Sequence, residues 1–366
     1  MATVNRNGSR KMWAALAAGA FAAAAGGQTP TAPAAGGGLR TFITMETVTR
    51  EVYLLGRSGP DVLYRTPNAP AGVSATIKPD GIQRAEFDIK VDERVAYAFA
   101  RRREWISAAQ TILPAIQPTL PFLDLPDNNA AEWAMAAGLY LRKAAQTSAR
   151  GDARARADAP RLFAAAQTVL TAAGRASWHY FGEVARIRAI LCQIDLGRLD
   201  DAAKELARIR EPEKGDATYG AYWLAQGELL FARKKYPEAM DAAIRSLIYE
   251  TKDAETFPDA LILSARCYEE MNEMHRTRDI YYEVARLFRG TDWGDLSRVR
   301  LRRIMKDDLA AEEEDPDIAA VFFGSAEDMK ESITQFLAAS EQDKEVDVDA
   351  PKQEMGAEAT TEGAQP

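Results

Sequence analysis

Only two histidines and two cysteines occur among the 366 residues, which excludes most metal and thiol chemistries. A GxxxxGK[ST] phosphate loop, a GxGxxG after a strand, HExxH and a nucleophile elbow are all missing. Positive charge is short as well. The formal net charge is −8, and Glu341, Asp343, Glu345, Asp347, Asp349, Glu354, Glu358 and Glu362 against Lys344 and Lys352 concentrate −6 of it between 341 and 366. The rest of the chain is nearly neutral, so the electrostatic footprint of a DNA or RNA binder is absent. No apolar run reaches the ~20 residues of a membrane-spanning helix. These gaps leave no catalytic residue, metal ligand or cofactor to nominate, and the chain reads as a non-enzyme. His179 and His275 read as surface or capping residues near helix ends. Glu269-Glu270 and Glu312-Glu313-Glu314-Asp315 read as solvated faces.

What is present begins with Arg6, Arg10 and Lys11 ahead of the uncharged run Met12–Ala25, followed by a loose Gly/Pro/Ala/Thr stretch to Gly38. A positive start, a short apolar run and small-x-small positions ending at Ala25 or Ala34 make the pattern of a secretory signal peptide. An alanine-rich buried helix is the competing reading. Residues 1–38 are thus expected to be a leader, and the mature protein periplasmic or otherwise exported, with no span after cleavage. No cysteine precedes Cys192, which argues against lipid attachment. The composition, 47% hydrophobic, supplies a core for two or more domains.

Residues 39–92 predict a small antiparallel β module or SH3-like half-barrel. Ala85, Phe87, Ile89 and Val91 alternate with Glu86, Asp88 and Lys90, the period of a strand with one wet face. Val48, Val52 and Leu54, then Val62–Arg65, then Ser74–Lys78 suggest others, separated by the turn signals around Gly59-Pro60 and Pro79-Asp80-Gly81. Over 93–129 the spacing of Val95, Phe99, Ile106 and Leu113 predicts one helix N-capped by Asp92. A connector from Pro114 to Asn129 follows, anchored by Leu120, Phe122 and Leu125. Arg101-Arg102-Arg103 reads as a solvated or acid-paired face. Beyond it, Ala130–Arg150 and Pro160–Ala173 have helical patterns, joined by a basic turn at Arg150–Arg156.

Internal repetition dominates 130–307. Gly197–Ala202, Lys234–Ala239 and Asn272–Thr277 align on small residues, Ala202, Ala239 and Thr277, spaced by 37 and 38 positions. Trp223-x2-Gln226-Gly227-x2-Leu230 precedes the second, and Leu261, Ala265 and Tyr268 fall in equivalent places before the third, with Tyr281 after it. Two helices cross closely only where one presents Gly or Ala, here Gly227 against Ala239 and Ala265 against Thr277, and each pair exposes an apolar face that the next pair buries. The polar stretches Glu211–Asp216 and Thr251–Thr256 are expected to hold the residues beyond a 34-residue period. Cys192 and Cys267 occupy equivalent places in different repeats and read as unpaired buried side chains.

Residues 217 to about 305 resemble the tetratricopeptide repeats of bacterial cell-envelope proteins, such as the outer-membrane assembly lipoprotein and the Tol–Pal coordinator. Phe257–Met271, Arg278–Phe288 and the closing Thr291-Asp292-Trp293 carry the likeness. It implies a mainly α architecture, a tetratricopeptide-like helical-hairpin solenoid behind the β module, with Trp223, Gly227, Ala239, Ala265, Tyr268 and Ala202 packing the repeats. Counting from Trp223 puts Glu228, Phe231, Asp259, Ile262, Arg266 and Glu269 on the concave face, where a peptide or partner helix would lie. Residues 308–340, an acidic turn and an amphipathic helix, are expected to cap the open end, and 341–366 to be disordered. The expectation is a scaffold or adaptor for protein or peptide partners in the envelope, with oligomeric state open. The alternative is an envelope polymer- or ligand-binding protein in which the β module recognises the ligand and the helices are a spacer.

Overall fold

The computed structural model describes residues 38–70, 72–248 and 255–308. The predicted leader, the capping helix before 340 and the acidic tail lie outside the described residues. Mainly helical, the described chain carries eleven α-helices and one small antiparallel sheet. All but the last turns of the final helix belong to the unit that ends at Leu301. None of these helices is long and apolar enough to cross a membrane.

Strands β1 (Leu39–Met45), β2 (Val48–Ser58), β3 (Asp61–Arg65), β4 (Ala75–Ile77) and β5 (Arg84–Phe87) pair antiparallel in the order β4-β3-β2-β1-β5. Met45 pairs with Val48, and Glu46 at φ 52° supplies the left-handed residue that so short a hairpin loop needs. Alternation puts Ile43, Val52, Leu54, Val62, Ala85 and Phe87 on one buried face. The expected strand through Val91 stops at Phe87, because the Asn129 side chain takes over its pairing: it accepts from Phe87 N at 2.9 Å and donates to Phe87 O at 3.0 Å.

Asp92 caps α1 (Glu93–Arg101) by accepting from Val95 N at 3.0 Å, as its position predicts. The single helix expected through Leu113 is instead two. The chain turns at Arg103, at φ 59°, and α2 (Trp105–Ile116) follows. Pro114, expected to open the connector, lies in the last turn of α2, where the burial of Leu113 and Ile116 offsets its strain. Helices α3 (Ala131–Arg150) and α4 (Ala153–Ala173) pack along each other. A Cβ on Gly138 would lie 2.6 Å from Leu170 Cγ, so the two backbones meet where α3 has no side chain. Asp152 caps α4 through Ala155 N at 2.8 Å, which starts that helix well before Pro160 and makes most of the predicted basic turn helical.

The remaining helices are α5 (Tyr180–Asp195), α6 (Leu199–Leu206), α7 (Tyr219–Ala232), α8 (Tyr236–Ile248), α9 (Thr256–Glu270), α10 (Met274–Leu287) and α11 (Asp292–Asp308). They associate in sequence, α5 with α6 and α7, α7 with α8 and α9, α8 with α9, and α9 with α10. One turn recurs between partners. Gly197, Lys234 and Asn272 are left-handed, at φ 74°, 62° and 61°, each five residues before the aligned Ala202, Ala239 or Thr277. Each is followed by an amide that reaches back over the helix end, Arg198 N to Gln193 O, Lys235 N to Leu230 O and Glu273 N to Tyr268 O, all at 2.9 Å. This is the Schellman arrangement that ties off orphan carbonyls. The α1–α2 junction repeats it, with Glu104 N to Phe99 O at 2.9 Å and the buried Ala108 five residues after Arg103.

Apolar side chains form two cores. The first joins the sheet to α1–α4 and the connector residues Phe122, Leu123 and Leu125. The second joins α5–α9. Helix α5 belongs to both, offering Ala185, Ala189 and Cys192 to the first and Ile187, Ile190, Leu191 and Ile194 to the second. That explains the weak sidedness of its sequence, since a helix apolar all round is buried all round. Cys192 and Cys267 are buried free thiols.

Candidate functional site

A cavity of about 500 Å³ opens between helices of both cores, within the size range of small-ligand pockets. Helix periodicity chooses its walls. Arg142, Gln146, Ala149 and Arg150 stand on one stripe of α3 beside Lys143. Helix α5 supplies Leu191 and Asp195, α7 supplies Leu224 and Glu228, and α9 supplies Asp259, Ile262 and Arg266. Arg101, Arg103 and Trp105 come from the α1–α2 turn, and Gly290–Trp293 from the start of α11 and the loop before it.

Asp259 is the centre of this wall. Its Oδ1 accepts from Trp293 Nε1 at 2.7 Å, and its Oδ2 faces Arg188 Nη1 at 3.4 Å and Arg142 Nη1 at 3.7 Å. Arg188 is fully buried and also donates to Thr256 Oγ1 at 3.0 Å. Arg142 Nε donates to Asp195 Oδ2 at 3.3 Å. Burial lowers the Arg142 pKa, but Asp195 and Asp259 outweigh it and the guanidinium stays charged. Burial pushes the Asp195 carboxyl up to about 6, against the opposing pull of Arg142. Arg266 Nη1 lies 2.8 and 3.0 Å from the two Glu228 oxygens, with the Phe231 ring 4.0 Å beneath its guanidinium carbon.

The first and last parts of the unit meet across the cavity. Arg103 binds Asp292 at 3.4 Å and also Asp295, and Trp105 Nε1 donates to Asp292 Oδ2 at 2.8 Å. Lys143 Nζ lies 4.7 Å from the centres of both the Trp105 and Trp293 rings and 2.8 Å from Glu255 Oε1. Desolvation raises the Asp295 pKa, but hydrogen bonding and charge from Arg103, with Arg298, pull it below its ordinary value. The contact is therefore a clasp of cation–π and charge-assisted bonds.

Of the six residues assigned to a concave face, Glu228, Asp259, Ile262 and Arg266 line the cavity together. Phe231 sits behind Arg266, and Glu269 is engaged elsewhere, accepting from Tyr281 Oη at 3.4 Å and from Arg300 at 3.5 Å. The packing residues divide likewise. Gly227 is the expected close approach: a Cβ there would stand 3.3 Å from Ala239 O and 2.8 Å from Leu263 Cδ2. Ala202, Ala239 and Ala265 are fully buried. Trp223 and Tyr268 are half-buried, each with an arginine from the next helix over its ring, Arg245 at 4.4 Å and Arg276 at 5.3 Å.

Sequence reasoning missed the α3 stripe, although Arg142, Gln146 and Arg150 recur every fourth residue on an alanine-rich helix and were legible as one polar face. It also treated the three consecutive arginines as equivalent. Arg102 pairs with Glu104 at 3.0 Å, Arg103 makes the clasp, and Arg101 lines the cavity. No protein-family model matches the chain, and comparison with curated proteins gives no match.

Proposed function

We propose that this chain is an exported, tetratricopeptide-like scaffold or adaptor of the bacterial cell envelope, which binds protein or peptide partners without catalysis. The observation that carries the reading is the convergence of α3, α5, α7 and α9 on one polar cavity, each through residues one helical turn apart. The repeated turn at Gly197, Lys234 and Asn272 supports a hairpin-repeat architecture, and the N-terminal charge pattern supports export. Repeat stacks of this kind expose their first helices to partners. The β module fits a platform better than a separate reader, because Ile43, Val52 and Phe87 share a core with Ile112, Ile116 and Leu141.

The test is site-directed photo-crosslinking in intact cells. A crosslinking residue at Gln146 or Ile262, both on the cavity wall, is expected to capture a discrete envelope protein. The same group at the exposed Glu238 of α8 serves as control. Equal or absent capture at the cavity positions overturns the reading.

A further inference from the structure

The cavity wall carries six cationic side chains, Arg101, Arg103, Arg142, Lys143, Arg150 and Arg266, and four carboxylates, Asp195, Glu228, Asp259 and Asp292. Every one of those carboxylates is already engaged: Asp195 by Arg142, Glu228 by Arg266, Asp259 by Arg142, Arg188 and Trp293, and Asp292 by Arg103 and Trp105. Lys143 has Glu255. Arg101 and Arg150 have no hydrogen-bonded acid among the described residues, and both are exposed to solvent. Among the described residues two positive charges are thus left over in a concave site, where low-dielectric walls focus the field outward.

We propose that the cavity takes a paired-carboxylate group at the acidic end of a partner polypeptide, with Arg101 and Arg150 as its ion-pair partners. Guanidinium forks suit this because they bind carboxylates bidentately and hold their charge at any physiological pH. The polypeptide source rests on the adaptor reading; the paired-carboxylate chemistry does not.

The experiment titrates the full-length protein, followed by the fluorescence of the wall tryptophans, with three probes. They are a four-residue peptide of three alanines and a C-terminal aspartate, the same peptide ending in asparagine amide, and succinate. The acidic peptide is expected to bind at least tenfold more tightly than the neutral one and than succinate, and to weaken with added salt. The doubly substituted Arg101→Gln/Arg150→Gln protein, with unchanged circular dichroism, is expected to lose that preference. Equal affinity for acidic and neutral peptides, or a preference that survives the double substitution, overturns the inference. Succinate binding as tightly as the acidic peptide overturns the polypeptide source. Crosslinking at Ile262 that persists in cells carrying the double variant likewise overturns the inference while leaving the adaptor reading intact. Crosslinking absent from the unsubstituted protein, with selective peptide binding retained, sinks the adaptor reading and the polypeptide source with it, and leaves the paired-carboxylate chemistry standing.

Discussion

The α3–α4 pair and the hairpins from α5 onward solve one packing problem by different means. The first uses helices of 20 and 21 residues, joined through an Asp152 cap with no left-handed residue, since Gly151 has φ −77°. Its contact is set by alanines and by Gly138 under Leu170. The later hairpins use helices of 16 residues or fewer in α5–α10, each pair closed by the same Schellman turn. Between the two regions lies a band of buried charge around Asp259. Close backbone contact therefore needs only a missing side chain, whereas a repeated geometry needs a repeated turn.

Substitutions sharpen that contrast. The largest effect is expected at the charged band. Asp259→Asn removes the one carboxylate shared by the buried Arg142 and Arg188, and urea unfolding should show a loss of about 3–5 kcal/mol. Gly138→Ala comes next. Its Cβ would collide with the branch point of Leu170, so a loss of about 1–3 kcal/mol is expected. Gly227→Ala should cost less than Gly138→Ala, because the closest atom is a terminal methyl of Leu263 at 2.8 Å instead of a branch point and alanine regains about 1 kcal/mol of helix propensity. Equal losses at the two glycines would erase the distinction between the regions.

The turns offer a smaller test. Lys234 and Asn272 hold a conformation that costs an L-residue roughly 1–2 kcal/mol, less for asparagine. Lys234→Gly is expected to raise the melting temperature, with a gain of about 1 kcal/mol, while Gly197→Ala costs about as much. The same change at Gly81, which is not left-handed and where an added Cβ meets nothing within 4 Å, serves as the comparison.

The smallest expected effect is a pH dependence at the band's edge. The Asp195 carboxyl titrates near 6 in the folded protein and near 3.9 when unfolded. Its contribution to stability is therefore complete below about pH 4 and lost as pH rises through about 6. Asp195→Asn removes that loss, so the stability of the variant relative to the parent should climb between pH 4 and 7 in denaturation series. The side chain keeps 28% of its surface exposed, and screening by solvent holds the effect down.

Much of the architecture was legible because it is local. Alternating apolar residues announced β5, Asp92 announced the start of α1, and the 37- and 38-residue spacing announced three second-helix starts, each of which follows one of the left-handed turns. The fourth such turn, at Arg103, was not legible. Its arginine run looks like a solvated helix face, and only packing of Ala109 and Ile112 into the first core bends the chain there. The cavity was half legible. Glu228 and Arg266 follow from register on α7 and α9, but the α3 stripe faces them only in the fold, and the clasp from Trp105 to Asp292 joins residues nearly 190 positions apart.

By itself, then, the sequence determined most of the helices and strands, three of the four repeated hairpin junctions, and that the two cysteines stay unpaired. Those features depend on neighbours within a few residues or on one fixed period. The tertiary structure alone decided which charges neutralise one another and which two guanidiniums are left over. Pairing of that kind depends on distances between side chains brought together from α1 to α11, and no periodicity encodes them.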